Sequence, residues 1–312
     1  MSRIEIKGLR KTYGDVVAIE EFDLRIKAGQ VVALVGPDGA GKTTIMRTVC
    51  NLIAPDAGVV LIDGAPVKAN REVLKTAIGY MPQTFSLYTD LSVQENLIFY
   101  AGIYGVVGDR YVKRRDELYE FSRLAPFAGR RAGALSGGMK QKLALSCALI
   151  HDPKILILDE PTTGVDPLSR RQLWEILLQF QSRGMTILVS TPYMDEVAKA
   201  DQACLVFCGK KLAEGTPHEL SSQFEGGTYF LEITPDRDKL ARLNAVDGLS
   251  ARRFGSGMHL QSSPRLTPED VTAALTRSGL DRTQCRAVAP SLEDTFVQLM
   301  HKQERSQGHE RR

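Results

Sequence analysis

The sequence has no long hydrophobic run. No stretch approaches the roughly 18 apolar residues that a membrane-spanning helix needs. The start, MSRIEIKG, reads as a strand and lacks the apolar core of a secretory leader. Any membrane role is therefore expected to come through a partner subunit. Charge of one sign is also lacking: 40 Lys+Arg face 37 Asp+Glu, a net +3. That excess is too small to imply nucleic acid or an anionic membrane as partner. Cysteine is sparse and odd in number, five in all, with no second close pair to complete a metal site around Cys204 and Cys208. Reduced, buried thiols are expected. There is no internal repeat. What is present is a globular balance, 43% hydrophobic and 25% charged over 312 residues, which excludes a largely disordered or collagen-like chain. The length suits one large domain or two ordinary ones.

Apolar runs alternate with turns along residues 3–35: Arg3–Ile6, Val16–Ile19, Glu21–Ile26 and Val31–Val35 read as strands. A helical pattern follows from Lys42 to about Leu52, then a strand at Val59–Ile62. Residues 84–150 are a helical insertion, with helices at Val93–Tyr104, Arg110–Leu124 and from 137 to 150. Strand and helix alternate again through Ile155–Leu158, the amphipathic Leu173/Ile176/Leu177/Phe180 face, Thr186–Val189 and Ala203–Phe207. Short apolar strands alternating with helices imply an α/β parallel sheet covered by helices. From Gly226 the order becomes βαββαβ plus a terminal helix, with capping boxes at Thr267…Asp270 and Ser291…Asp294. That order predicts a small ferredoxin-like α+β domain. The expected division is a first domain over 1–225, an accessory domain over 226–302 and a disordered tail over 303–312.

Gly36-Pro37-Asp38-Gly39-Ala40-Gly41-Lys42-Thr43 fits G-x-x-x-x-G-K-[ST] between a predicted strand and a predicted helix. Glycines let backbone N–H groups curl around phosphate oxygens, and the new helix offers its positive end. Lys42 can reach the β/γ-phosphates and the Thr43 hydroxyl can hold Mg²⁺. A plain glycine-rich turn would not require the Lys-Thr pair. Ile155–Leu158 ends in Asp159-Glu160, where a second Mg²⁺ contact and a general base belong. Leu135-Ser136-Gly137-Gly138-Met139-Lys140-Gln141 opens a helix with a capping serine and two glycines that leave its N–H groups bare, a second anion site.

These motifs, in this order, resemble the nucleotide-binding subunit of ATP-binding cassette (ABC) transporters over residues 1 to about 225. GPDGAGKTT looks like the family's Walker A loop, LSGGMKQ its signature, ILILDEP its Walker B strand, and Gly164-Val165-Asp166-Pro167 its D-loop. The resemblance implies a RecA-like P-loop sheet with an antiparallel N-terminal β-subdomain. It implies that Gly36, Asp38, Gly39, Ala40, Gly41, Lys42, Thr43 and Thr44 hold ATP, with Tyr13 against the adenine. It gives Gln83, in Tyr80-Met81-Pro82-Gln83, a place beside Glu160 and Lys42 in catalysis and beside Thr43 and Asp159 at Mg²⁺. Two cassettes would close head to tail, so that Ser136, Gly137, Gly138 and Asp166 serve the partner's ATP. Membrane permease subunits would dock near Gln83 and the helical insertion, holding the chain at the cytoplasmic face of the membrane. YMPQ, TTGVDP, YMDE and the segment Pro290–Phe296 resemble drug-export and ABCA-like cassettes with separate permeases, so export is the expected direction.

One departure stands out. The family expects a switch histidine in a Ser-Thr-His-like stretch, and here Ser190-Thr191-Pro192 puts proline in its place. Proline offers no side-chain donor and no N–H. Three readings remain open from sequence: a transport ATPase subunit, a hydrolysis-poor cassette that serves a competent partner in a heterodimer, and a soluble ABC ATPase. Specificity for the cargo is expected to lie in the permease subunits.

Overall fold

The computed structural model describes residues 2–69, 71–281 and 284–310, and the chain divides into two compact units, Met1–Thr216 and Pro217–Arg312. In the first unit, β1 (Ser2–Tyr13) pairs antiparallel with β2 (Val16–Lys27) on one side and with β4 (Ala57–Ile62) on the other. A short β5 (Ala65–Pro66) completes a four-stranded sheet. The sequence suggests two strands over 16–26, but β2 is continuous. Glu21 sits at φ 48°, and the register shifts between Lys11↔Ile19 and Leu9↔Phe22. A bulge there puts both Ile19 and Phe22 inside, which breaks the period of two that sequence reading relies on.

The second sheet has six strands. Its members are β3 (Val31–Val35), β6 (Ile78–Met81), β7 (Ile155–Leu158), β8 (Thr186–Thr191), β9 (Gln202–Phe207) and β10 (Lys210–Gly215), in the order β10-β9-β3-β8-β7-β6. All neighbours are parallel except β9 and β10. β3, β7 and β8 are buried along their whole length, as apolar runs in a covered parallel sheet must be. β10 was not anticipated, since the half-exposed Lys210-Lys211-Leu212-Ala213 has no apolar run; it is an antiparallel edge strand. Because β3, β6, β7 and β8 run the same way, the residues after each strand meet along one sheet edge.

Between β6 and β7 lie α3 (Val93–Ile103), α4 (Gly108–Ser122) and α5 (Gly137–Leu149). Ser92 and Glu95 close a capping box at the start of α3. α1 (Lys42–Val49) follows β3, and α6 (Pro167–Ser182) connects β7 to β8. The short α2 (Arg71–Ala77) leads into β6, and α7 (Met194–Val197) follows β8. One apolar cluster joins both sheets to α1 through Ile19, Phe22, Leu34, Ile45, Met46 and Val206. The cysteines are free; Cys147 and Cys204 are buried, which pushes their thiols far above their ordinary range, whereas Cys208 is exposed and Cys50 and Cys285 are part-buried, so the expectation of buried thiols holds for two of the five.

The second unit begins with α8 (Pro217–Ser221) and continues β11 (Gly227–Leu231), α9 (Arg237–Asn244), β12 (Leu249–Phe254), β13 (Gly257–Ser262), α10 (Pro268–Arg277), β14 (Cys285–Ala287) and α11 (Leu292–Glu310). Its antiparallel order β12-β13-β11-β14 is that of a ferredoxin-like sheet. Residues 303–310, expected as disordered, continue α11, and Arg311 and Arg312 lie outside the described residues. Lys302-Gln303-Glu304-Arg305 is made of good helix formers, which offsets the high charge that suggested disorder. Among the described residues no helix is long and apolar enough to cross a membrane.

Candidate functional site

The loop after β3 is shaped by close approach. A side chain at Gly36 would put Cβ 2.2 Å from the Val206 carbonyl oxygen. Gly41 holds φ 102°, and its Cβ would fall 2.5 Å from Ile19 Cδ1 and 2.7 Å from the Ala18 oxygen. Neither position admits another residue. Asp38, Gly39 and Ala40 form the turn between them, with the Ala40 N–H donating to Pro37 O at 3.2 Å. Gly41 caps α1 without a side chain, and no acid occupies the first turn. The first-turn N–H groups at Lys42, Thr43 and Thr44 are thus free of competing side-chain acceptors, and the positive end of the helix suits an anion.

The residues that follow β3, β6, β7 and β8 come together. The Lys42 ammonium donates to Gly36 O at 2.8 Å and Pro37 O at 3.0 Å, and lies 3.1 Å from Glu160 Oε1. Both side chains of that pair are about 5% exposed or less, at 4% and 5%. The Gln83 amide donates to Glu160 Oε2 at 3.0 Å, and the Thr163 hydroxyl to the same oxygen at 3.2 Å. Glu160 itself has φ 49°, a left-handed conformation rare for a residue with a Cβ. Asp159 is fully buried. The Ser190 hydroxyl donates to Asp159 Oδ1 at 2.8 Å and accepts the Glu160 N–H at 2.8 Å.

Burial pushes the Asp159 carboxyl above the usual carboxylate range, opposed by the Ser190 and Thr43 hydroxyls and reinforced by the neighbouring Glu160 charge. Thr43 is near enough to favour the charge, yet Asp159 Oδ2 is buried with no full hydrogen bond. An orphaned carboxylate oxygen beside a hydroxyl, at the mouth of a phosphate loop, fits a hard oxygen-seeking cation such as Mg²⁺. Among the described residues no group of three or more His, Cys, Asp or Glu side chains could hold a metal by itself, so phosphate oxygens would have to supply the remaining ligands. Gln83 is turned to Glu160 here rather than to Asp159.

Ser136, Gly137, Gly138 and Asp166 form a second cluster. Ser136 caps α5 by accepting the Met139 N–H at 3.4 Å, and Asp166 caps α6 by accepting the Ser169 N–H at 2.9 Å. The Ser169 hydroxyl and N–H hold the Asp166 carboxyl below its ordinary range. A Cβ at Gly138 would meet Ser169 Oγ at 2.4 Å and Ser169 Cβ at 2.6 Å, so this glycine lets α5 and α6 touch. Among the described residues no hydrogen bond or ion pair joins this cluster to Lys42 or Glu160. Tyr13, at the end of β1, is 48% exposed with the Lys11 ammonium 5.5 Å from its ring centre.

Pro192 directly follows β8. The loop is braced around it: the buried Glu196 accepts from Thr162 Oγ1 at 3.0 Å and Thr191 Oγ1 at 2.7 Å, and the Tyr193 N–H donates to Thr191 Oγ1 at 3.0 Å. The single histidine of the first unit, His151, stacks on Tyr104 with centroids 3.8 Å apart and faces Ile78 O, so it does not stand in for the missing switch residue. Sequence reading quoted the stretches that hold Ser190, Thr163 and Glu196 but gave these three residues no role. For Ser190 and Thr163 the only signal is hydroxyl residues following or ending buried strands; Glu196, on α7, has none.

Residues 19–163 match the ABC transporter family. The chain is 41% identical over 305 residues to the probable multidrug ABC transporter ATP-binding protein YbhF of Escherichia coli (strain K12), covering 95% of this chain and 52% of that protein. It thus spans about half the length of that relative. It is 36% identical over 301 residues to the Nod factor export ATP-binding protein I of Rhizobium etli, covering 96% of this chain and 93% of that protein. Among solved structures, the dimeric structure of MJ0796, a bacterial ABC transporter cassette, matches with a TM-score of 0.63 at 28% identity, over 68% of this chain and 98% of that one. The chain belongs to the family of ABC transporter ATP-binding proteins.

Proposed function

We propose that this chain is the ATP-hydrolysing subunit of an export system, powering separate membrane permeases by closing on a second cassette around ATP. The observation that carries the reading is the buried Lys42–Glu160–Gln83 contact at the mouth of a phosphate loop. Lys42 would leave Glu160 to hold the γ-phosphate. Glu160, kept in place by Gln83 and Thr163, would orient water and take its proton as the water oxygen bonds to the γ-phosphorus and ADP departs. Thr43 and Asp159 would hold Mg²⁺, which neutralises phosphate charge when bound; Gln83 would offer its amide oxygen, and phosphate oxygens would supply the remaining ligands. The exposed ring of Tyr13 suits a purine face.

An apolar surface supports a docking partner. Leu52, Tyr88, Ile98, Phe99, Ile103 and Val107 are all exposed, between 40% and 68%. A cavity of about 530 Å³ lined by Cys50, Leu52, Leu74, Ile78, Tyr80 and Tyr104 lies in the same unit. Ile98, Phe99 and Ile103 lie on α3, and the Tyr88 ring meets Phe99 with centroids 4.8 Å apart; exposed apolar groups gathered on one helix suit an interaction site, and a permease segment at the cytoplasmic face of the membrane is the proposed occupant. The names of the relatives, one multidrug and one Nod factor export, favour export.

Pro192 supports a second reading, in which the chain's own site turns over slowly while Ser136, Gly138 and Asp166 complete a competent partner's site. A heterodimer makes use of that asymmetry. A homodimer that hydrolyses ATP at roughly 1 s⁻¹ or more, in the ordinary enzyme range, refutes it.

Calorimetry tests the primary assignment. Lys42→Ala should weaken ATP binding by roughly 10–100-fold, the worth of a charged hydrogen bond to phosphate. Tyr13→Ala should cost about tenfold through lost stacking. Equal ATP affinity in wild type and Lys42→Ala would remove the assignment.

A further inference from the structure

One hydroxyl touches both acids at the end of β7. Ser190 is fully buried, as is Asp159, and Glu160 is nearly so at 5% exposure. A serine hydroxyl carries a single proton. Since the Glu160 N–H donates to Ser190 Oγ at 2.8 Å, the Ser190 proton is committed to Asp159 Oδ1, also at 2.8 Å. The direction of both bonds is therefore fixed.

Two consequences follow from that geometry. The first concerns Asp159. With Oδ1 engaged by a neutral donor, Oδ2 is the oxygen left without a partner, on the carboxylate that Thr43 adjoins. The second concerns Glu160. Its backbone sits at φ 49°, which a residue with a Cβ keeps only where its surroundings hold it. Ser190 accepts the N–H of that same residue, and the turn directs the carboxylate to Lys42 and Gln83. The hydroxyl comes from β8, the strand next to β7 on the side of the phosphate loop, so it also ties the two acids to the neighbouring strand.

We propose that Ser190 is a positioning residue for the metal–nucleotide site: it selects Asp159 Oδ2 as the oxygen that meets the divalent cation, and it pins the Glu160 peptide so that the base stays between Lys42 and Gln83. The proposal rests on the ATP–Mg²⁺ reading above and gives a role to a residue that the motif reading left without one. A residue that merely filled space in the core would be replaceable by an apolar side chain of equal shape. A positioning hydroxyl is not.

The test compares Ser190→Thr with Ser190→Val in the full chain, since these differ from each other by a hydroxyl against a methyl. The affinity of a non-hydrolysable ATP analogue is measured by calorimetry in EDTA and again with Mn²⁺ as the divalent ion, and the ratio gives the gain that the metal confers. Partners that orient a metal ligand are typically worth 10–100-fold in metal affinity, so Ser190→Val should lose roughly tenfold or more of that gain while Ser190→Thr keeps it. Affinity in EDTA should be alike in wild type and both variants. If Ser190→Val melts too low to assay, Ser190→Ala, which cannot crowd the site, takes its place with the same expectation. Equal metal gain in the threonine and the apolar variants overturns the proposal. So does a loss in EDTA as large as the loss with Mn²⁺, which would mark a general collapse of the site. A wild-type chain that binds no nucleotide at all would instead overturn the ATP reading, a separate and distinguishable failure.

Discussion

Replacing Glu160 by glutamine should tighten ATP binding while abolishing hydrolysis. In the structure the Lys42 ammonium is shared among Gly36 O, Pro37 O and Glu160 Oε1. A γ-phosphate has to draw Lys42 away from the carboxylate and then sit beside a negative charge. Glutamine keeps the shape and a hydrogen-bonding oxygen for Lys42 but removes that charge. Charge-assisted hydrogen bonds are worth about twice neutral ones, a difference of roughly 1 kcal/mol, which is about a fivefold gain in ATP affinity. Both side chains are almost fully enclosed, so little of the effect is lost to solvent screening. ADP draws on Lys42 through its β-phosphate alone and sets no γ-phosphate beside Glu160, so its affinity should gain less than that of ATP. Calorimetry in EDTA, where the wild type cannot turn over, isolates the binding effect. Phosphate release with Mg²⁺ should fall by roughly 10²–10⁴-fold, the usual worth of a general base. Weaker ATP binding in Glu160→Gln, or an equal gain for ADP, would refute the competition argument.

Three further outcomes can be checked. Gly138→Ala forces α5 and α6 apart at Ser169 and should cost about 1–3 kcal/mol in denaturant unfolding, whereas Gly137→Ala, whose Cβ would meet nothing nearer than the Gly164 oxygen at 3.6 Å, should be neutral or slightly stabilising. Pro192→His should raise phosphate release by an order of magnitude, about 10-fold or more, at unchanged ATP affinity if the missing donor limits turnover, and no rise would argue against that limit. The Thr12 hydroxyl first, then Lys11 and the Thr12 N–H, lower the Asp56 carboxyl to about 2. Its folded pKa lies below the unfolded value, so its stabilisation is present above about pH 4 and is lost as pH falls toward 2; the stability gap between wild type and Asp56→Asn should close over that window.

Much of the frame was legible in the sequence because its signals are local. Val31–Val35 and Ile155–Leu158 are continuous apolar strands flanked by turn chemistry, and they appear with the same bounds in the structure. The capping boxes at Thr267 and Ser291 are local as well. What escaped reading is what depends on pairing. β10 lacks an apolar run because an edge strand buries only one side, and β2 hid its continuity behind a bulge at Glu21. Gln83 and Glu160, whose meeting was expected through the family resemblance alone, are 77 residues apart and meet because β6 and β7 are parallel neighbours. No periodicity in the chain encodes that adjacency.

The two glycines after Ser136 show how one motif can answer to two demands. From sequence, both glycines read as devices to leave helix N–H groups bare. The structure separates them. Gly138 has a packing cause, the Ser169 side chain of α6, which any Cβ would strike. Gly137 has no such cause among the described residues, as its nearest neighbour is at ordinary van der Waals distance. A glycine in the first turn of a helix costs up to about 1 kcal/mol relative to alanine. A cost with no return inside the chain points outside it, to a surface that has to approach the backbone at Gly137 closely. The partner's nucleotide is the proposed candidate. The residue that best tests head-to-tail closure is therefore Gly137 rather than Gly138. Gly137→Ala should leave folding intact yet impair ATP-dependent dimerisation in analytical ultracentrifugation, and a normal dimer in that variant would send the explanation of Gly137 back to the fold.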